Sequence, residues 1–112
     1  MAESSHSQVF KDGLLEGQVC VVSGAGSGLG RETALELVRL GAVVVACGRR
    51  EAPLAETAAL AAALPGSFEH ETVDIREEAP VGRFFDGLLE RHGRLDVLVN
   101  NAGGQFLSPA EA

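Results

Sequence analysis

Tyrosine and tryptophan are absent from the 112-residue chain, and Lys11 is its only lysine. A mechanism that needs a phenol or an interior ammonium group is closed to these residues on their own. No uninterrupted apolar run approaches the roughly 18 residues of a membrane span. The first seven residues carry no apolar segment of signal-peptide type, so a cytoplasmic address is the expectation. Cysteine is scarce: Cys20 and Cys47 form no disulfide framework and lack metal-ligand spacing, so no metal site is expected. Each lies in an apolar run and reads as a small core residue in a reducing compartment. Basic charge is in the minority, with 9 Lys and Arg against 16 Asp and Glu and a net of -7. That balance argues against a general nucleic-acid or membrane-surface binder.

What is present is a chain 46% hydrophobic, too apolar to stay disordered and too short for two independent cores. Residues 1–12 read as a polar arm and 13–112 as one folded portion. Within that portion, apolar runs alternate with helical patterns. Val19–Val22 is a continuous apolar run, as in a strand covered on both faces. Arg31 to Leu40 reads helical, with Gly30, Ala34, Leu37 and Val38 on one face and Gly41 as its exit. Ala42–Cys47 is a second buried run, and Ala52–Leu64 an alanine-rich helix closed by Pro65-Gly66. Phe68–Val73 alternates apolar and polar residues, which suits a sheet edge. Val81, Phe84, Phe85, Leu88 and His92 form an amphipathic stripe, with Glu77 and Glu78 at its positive end and Arg91 and His92 at its negative end. Leu95–Val99 is the last apolar run. The order β-α-β-α-β-α-β predicts an α/β fold: the N-terminal half of a Rossmann-type, doubly wound parallel sheet with right-handed crossovers.

The chemistry lies in the loop Ser23-Gly24-Ala25-Gly26-Ser27-Gly28-Leu29-Gly30. Glycines where a strand turns into a helix let the backbone approach a phosphate, and the helix start offers unpaired N–H groups. The spacing is G-x-x-x-G-x-G through Gly24, Gly28 and Gly30; G-x-G-x-x-G fails because position 29 is Leu and position 31 is Arg. A free ribose 2′-OH would want an Asp or Glu at the end of the second strand, where the chain has Gly48-Arg49-Arg50. Guanidinium groups pair with a 2′-phosphate, so NADP(H) is expected over NAD(H), carried mainly by Arg49; the plainer reading is two solvated residues opening a helix. Asp74-Ile75, at the third strand's end, could accept from an adenine amino group and pack on its ring, or Asp74 could cap the next turn. Asn100 and Asn101 end the fourth strand in the same crevice, where amides can tie strand ends to each other and to a ribose. His6, His70 and His92 have no partner positioned by sequence and read as structural or solvated. Ser108 and Pro109 show no chemistry by spacing.

Together these residues resemble the short-chain dehydrogenase/reductase family over roughly residues 14–109. The likeness is carried by Ser23-Gly24-x-x-x-Gly28-x-Gly30, the basic residue at 49, Asp74 before an aliphatic residue, and Asn100-Asn101-Ala102-Gly103. The resemblance implies a pyrophosphate and adenosine ribose at Ser23, Gly24, Ser27, Gly28, Leu29 and Gly30. It further implies a 2′-phosphate at Arg49 and Arg50, adenine at Asp74 and Ile75, and the nicotinamide-side ribose at Asn101, Ala102 and Gly103. Residues 100–111 look like the corresponding stretch of peroxisomal trans-2-enoyl-CoA reductases. Val9 to Leu14 and Asp74-Ile75-Arg76 are similar to citronellol/citronellal-dehydrogenase-like members. An aliphatic carbonyl, alcohol or enoyl-CoA substrate and a homo-oligomeric intact protein are the implied partners. The family's catalytic Tyr-x-x-x-Lys set lies beyond the Asn-Asn-Ala-Gly motif, so no residue here is assigned a catalytic role. The alternative expectation is a nucleotide-binding or regulatory module without turnover.

Overall fold

The computed structural model describes Ser7 and residues 10–101. Seven elements follow one another: β1 (Val19–Ser23), α1 (Gly28–Arg39), β2 (Val43–Gly48), α2 (Glu51–Ala61), β3 (Ser67–Thr72), α3 (Glu78–His92) and β4 (Val97–Asn100). All strand pairs are parallel, in the order β3-β2-β1-β4. The α/β, Rossmann-type arrangement expected from the sequence is present.

β1 lacks alternation because both of its faces are covered. Cys20 and Val22 join Ala34, Leu35 and Val38 of α1 and Leu54 of α2 in one core. Val19 and Val21 join Phe84 and Leu88 of α3 in the other. Helices therefore flank the sheet on both sides, as parallel strands require. On α1 the buried side is Gly30, Ala34, Leu35 and Val38; Leu35 belongs to it, while Leu37 is only partly buried. The α3 stripe holds: Phe84 and Leu88 are buried, and Val81 and Phe85 pack beside them. Gly93, with φ 75°, ends that helix in the left-handed conformation.

β3 is an edge strand, half exposed along its length. His70 and His92 both acquire carboxylate partners there: His70 Nε2 lies 3.0 Å from Glu51 of α2 and His92 Nε2 2.9 Å from Glu69 of β3. Most boundaries shift by one to three residues from expectation, and α1 starts at Gly28, three residues ahead of Arg31. α2 ends at Ala61, short of Leu64. β4 starts at Val97, directly after Asp96, whose amide donates to the Val19 carbonyl and whose carboxylate, gripped by Arg94, accepts the Val19 amide, both at 2.8 Å. Nor is that last run fully buried: Leu98 is 47% exposed, because β4 is the second sheet edge among the described residues.

Strand order places the site. The chain steps outward from β1 to β2 to β3, then returns through α3 to lay β4 on the other side of β1. Neighbouring connections diverge at the carboxyl ends of β1 and β4, and a doubly wound sheet opens its ligand crevice at such a point.

Candidate cofactor-binding cleft

The end of β1 is zipped to the end of β4 by one hydroxyl. Ser23, 1% exposed, donates from Oγ to Asn100 Oδ1 at 2.9 Å and accepts the Asn101 amide at 3.0 Å. That side chain sits beneath the loop and sets its base. Asn101 is thereby brought to the start of α1, where a Cβ on Gly30 would lie 3.0 Å from its Nδ2.

Gly30 is required by packing: a Cβ there would meet the Gly24 carbonyl oxygen at 2.0 Å. Gly28, at φ 57°, occupies the left-handed region that side chains disfavour. Between them the loop presses its own first turn against the helix start. Ser27 is the N-cap of α1 in extended conformation, yet its hydroxyl makes no capping hydrogen bond. The first turn also contains no acidic residue to offset the positive end of the helix dipole. The arrangement suits a phosphate.

Beside this loop is a cleft of about 520 Å³ lined by Gly24, Gly26, Ser27, Gly48, Arg49, Arg50, Pro53, Leu54, Val73, Ile75 and Arg76. It brings together loop, β2 end and β3 end, which is the span an adenosine with its phosphates would need. Among the residues singled out from sequence, Gly24, Ser27, Arg49, Arg50 and Ile75 line it directly. Gly28, Leu29 and Gly30 form the adjoining helix start, with Leu29 72% exposed. Ala102 and Gly103 lie outside the described residues.

Asp74 is held at the rim by Arg76. Its Oδ1 accepts from the Arg76 amide and Nε, both at 3.0 Å, and its Oδ2 from Nη2 at 2.9 Å. These hydrogen bonds are the main reason its pKa falls to about 2, with Arg49 adding a smaller electrostatic pull. The turn reading of Asp74 is realised, since a carboxylate accepting the amide two residues on is an Asx turn. Arg76 itself was not singled out as a site residue, although it lines the cleft. The signal available was a third arginine two residues past Asp74. Arg49, Arg50 and Arg76 thus line one cleft, in a chain whose net charge is -7.

The residues present fit a phosphorylated dinucleotide: a loop whose close approach only glycine permits, an open helix start, and local positive charge. Residues 18–112 match the sequence profile described as short chain dehydrogenase. The chain belongs to the short-chain dehydrogenase family. A relative from Mycobacterium tuberculosis, (5R,7aS)-5-hydroxy-7a-methyl-1-oxo-2,3,5,6,7,7a-hexahydro-1H-indene-carboxyl-CoA reductase, is 47% identical over 98 residues, 86% of this chain and 37% of that protein. The solved structure of a citronellol catabolism dehydrogenase, AtuB of Pseudomonas aeruginosa, superposes with TM-score 0.82 at 44% identity. That match covers 85% of this chain and 40% of AtuB. A metagenomic short-chain oxidoreductase solved in complex with NADP matches with TM-score 0.77 at 41% identity, over 80% of this chain and 41% of its own. This short-chain dehydrogenase chain therefore spans about two fifths of the proteins it resembles, and corresponds to the N-terminal half of the family's sheet.

Among the described residues, no helix is long and apolar enough to cross a membrane.

Proposed function

We propose that the chain is the cofactor-binding part of an NADP(H)-dependent oxidoreductase acting on an aliphatic carbonyl, alcohol or enoyl-CoA substrate. The observation that carries the reading is the joining of the glycine loop to Arg49, Arg50 and Arg76 in one cleft. In this reading Gly24 and the residues from Ser27 to Gly30 hold the pyrophosphate, Arg49 and Arg50 the 2′-phosphate, and Ile75 the adenine face. Asp74 orients Arg76 and shares the adenine edge. Asn101, Ala102 and Gly103 serve the nicotinamide-side ribose, with Ser23 fixing Asn101. When bound, the nicotinamide supplies hydride exchange; the chain's own contribution is to bind and orient it. The CoA reductase and citronellol dehydrogenase names of the relatives support an aliphatic or thioester substrate.

Residues 13–112 constitute this part, with 1–12 as an arm. Two free, buried thiols accord with a reducing compartment, and the proposed address is the cytoplasm. The intact protein is proposed to be a homo-oligomer.

Titrating the full chain with NADPH and NADH tests the cofactor assignment. Charge-assisted hydrogen bonds contribute about 1.5–3 kcal/mol, so Arg49→Ala should weaken NADPH binding about ten- to a hundredfold and leave NADH unchanged. An unaltered NADPH preference in that variant would refute the role of Arg49.

A further inference from the structure

Arg31 interrupts the glycine pattern, and the structure shows what it does. From the first turn of α1 it reaches across to α2: Nε donates to Thr57 Oγ1 at 2.9 Å. Its Nη2 donates to the carbonyls of Gly26 and Pro53 and to Glu56 Oε1. Thr57 is fully buried, and its hydroxyl in turn donates to the Ala25 carbonyl at 2.8 Å. Two consecutive loop carbonyls, those of Ala25 and Gly26, are thus held by a guanidinium and a hydroxyl anchored on α2.

The consequence follows from peptide geometry. The described residues contain no cis peptide, and in a trans peptide the C=O and N–H point in opposite directions. Holding the Ala25 carbonyl fixes the direction of the Gly26 amide, and holding the Gly26 carbonyl fixes that of the Ser27 amide. A Cβ on Gly26 would come within 2.7 Å of Pro53 Cβ, so the loop is also pressed directly on the start of α2. We infer that Arg31 and Thr57 are positioning residues for the phosphate loop: by gripping these two carbonyls they turn the amides of Gly26 and Ser27 to the loop's free side, preorganised for a pyrophosphate. This deepens the cofactor reading and rests on it. Neither side chain lines the cleft or hydrogen-bonds Arg49 or Arg50; on α2 both reach the Pro53 carbonyl, and Arg31 also Glu56 and Thr57, so the expected effect is on the part that NADP(H) and NAD(H) share.

The test compares three ligands on the full chain: NADPH, NADH, and 2′-AMP, which carries adenine and the 2′-phosphate but no pyrophosphate. Arg31→Gln and Thr57→Val, the latter keeping the buried volume without the hydroxyl, should each weaken NADPH and NADH in parallel by about tenfold or more. Binding of 2′-AMP should stay within about twofold in both, and Arg31→Lys should recover only part of the loss because it lacks the planar fork. Unchanged NADPH affinity in Thr57→Val would overturn the inference, as would a parallel fall in 2′-AMP binding, which marks general collapse of the cleft. Wild-type protein that binds NADPH and 2′-AMP while the variants bind equally well refutes the positioning role alone. Wild-type protein that binds none of the three ligands refutes the cofactor reading with it.

Discussion

Cys47 lies at the end of β2 beneath the cleft, 4% exposed, where burial and, to a smaller degree, Glu71 push its thiol up to about 11. The unfolded chain releases that proton near pH 9 and the folded chain only near 11, so between these values the native state binds more protons. Stability should be intact below about pH 9 and decline as pH rises toward 11, by roughly 2–3 kcal/mol for a shift of this size. The window is unusually clean, since there is no tyrosine and one lysine to titrate in it. Cys20 is raised by burial as well and contributes in the same direction. Urea melts of wild type and Cys47→Ala at pH 8 and 10.5 measure the effect: the alkaline loss should shrink in the variant. A wild-type stability independent of pH across that window would contradict the placement of the thiol. The buried thiol was legible from the apolar run around position 47; the Asp74–Arg76 clamp was not, because both readings of Asp74 fit the same residue type.

Among the elements, the start of α1 governs the site. Gly30 lets that helix rest on the first turn of the loop, so Gly30→Ala must push the Gly24 carbonyl aside. The expected outcome is loss of measurable dinucleotide binding together with a destabilisation of about 2 kcal/mol or more, in the range of overpacked sites. A melting curve with an NADPH titration checks both, and a variant with wild-type affinity would show that the loop is not the cradle. Periodicity made the elements themselves readable: β1 by its unbroken apolar run, α3 by the spacing of Phe84 and Leu88, β3 by its alternation. Boundaries set by long-range contacts were not readable. The start of β4 directly follows Asp96, which meets Val19, 77 residues earlier in the chain. The Arg31–Thr57 link likewise joins residues 26 apart, and no local pattern announces it.

For the whole molecule, the order β3-β2-β1-β4 converts scattered motifs into one place. It sets the glycine loop, the arginines after β2 and the end of β3 along one crest of the sheet, while Ser23 locks β4 to β1. The crest gathers Arg49, Arg50 and Arg76 in an acidic molecule, local positive charge that the proposed NADP(H) site would use to draw a phosphorylated ligand. The most direct measurement is a crystal structure of the full chain with NADP. The account predicts the pyrophosphate against the backbone amides of residues 24–30 and the 2′-phosphate within hydrogen-bond reach of Arg49. A nucleotide seated elsewhere, or a 2′-phosphate turned to solvent with Arg49 unengaged, would contradict it.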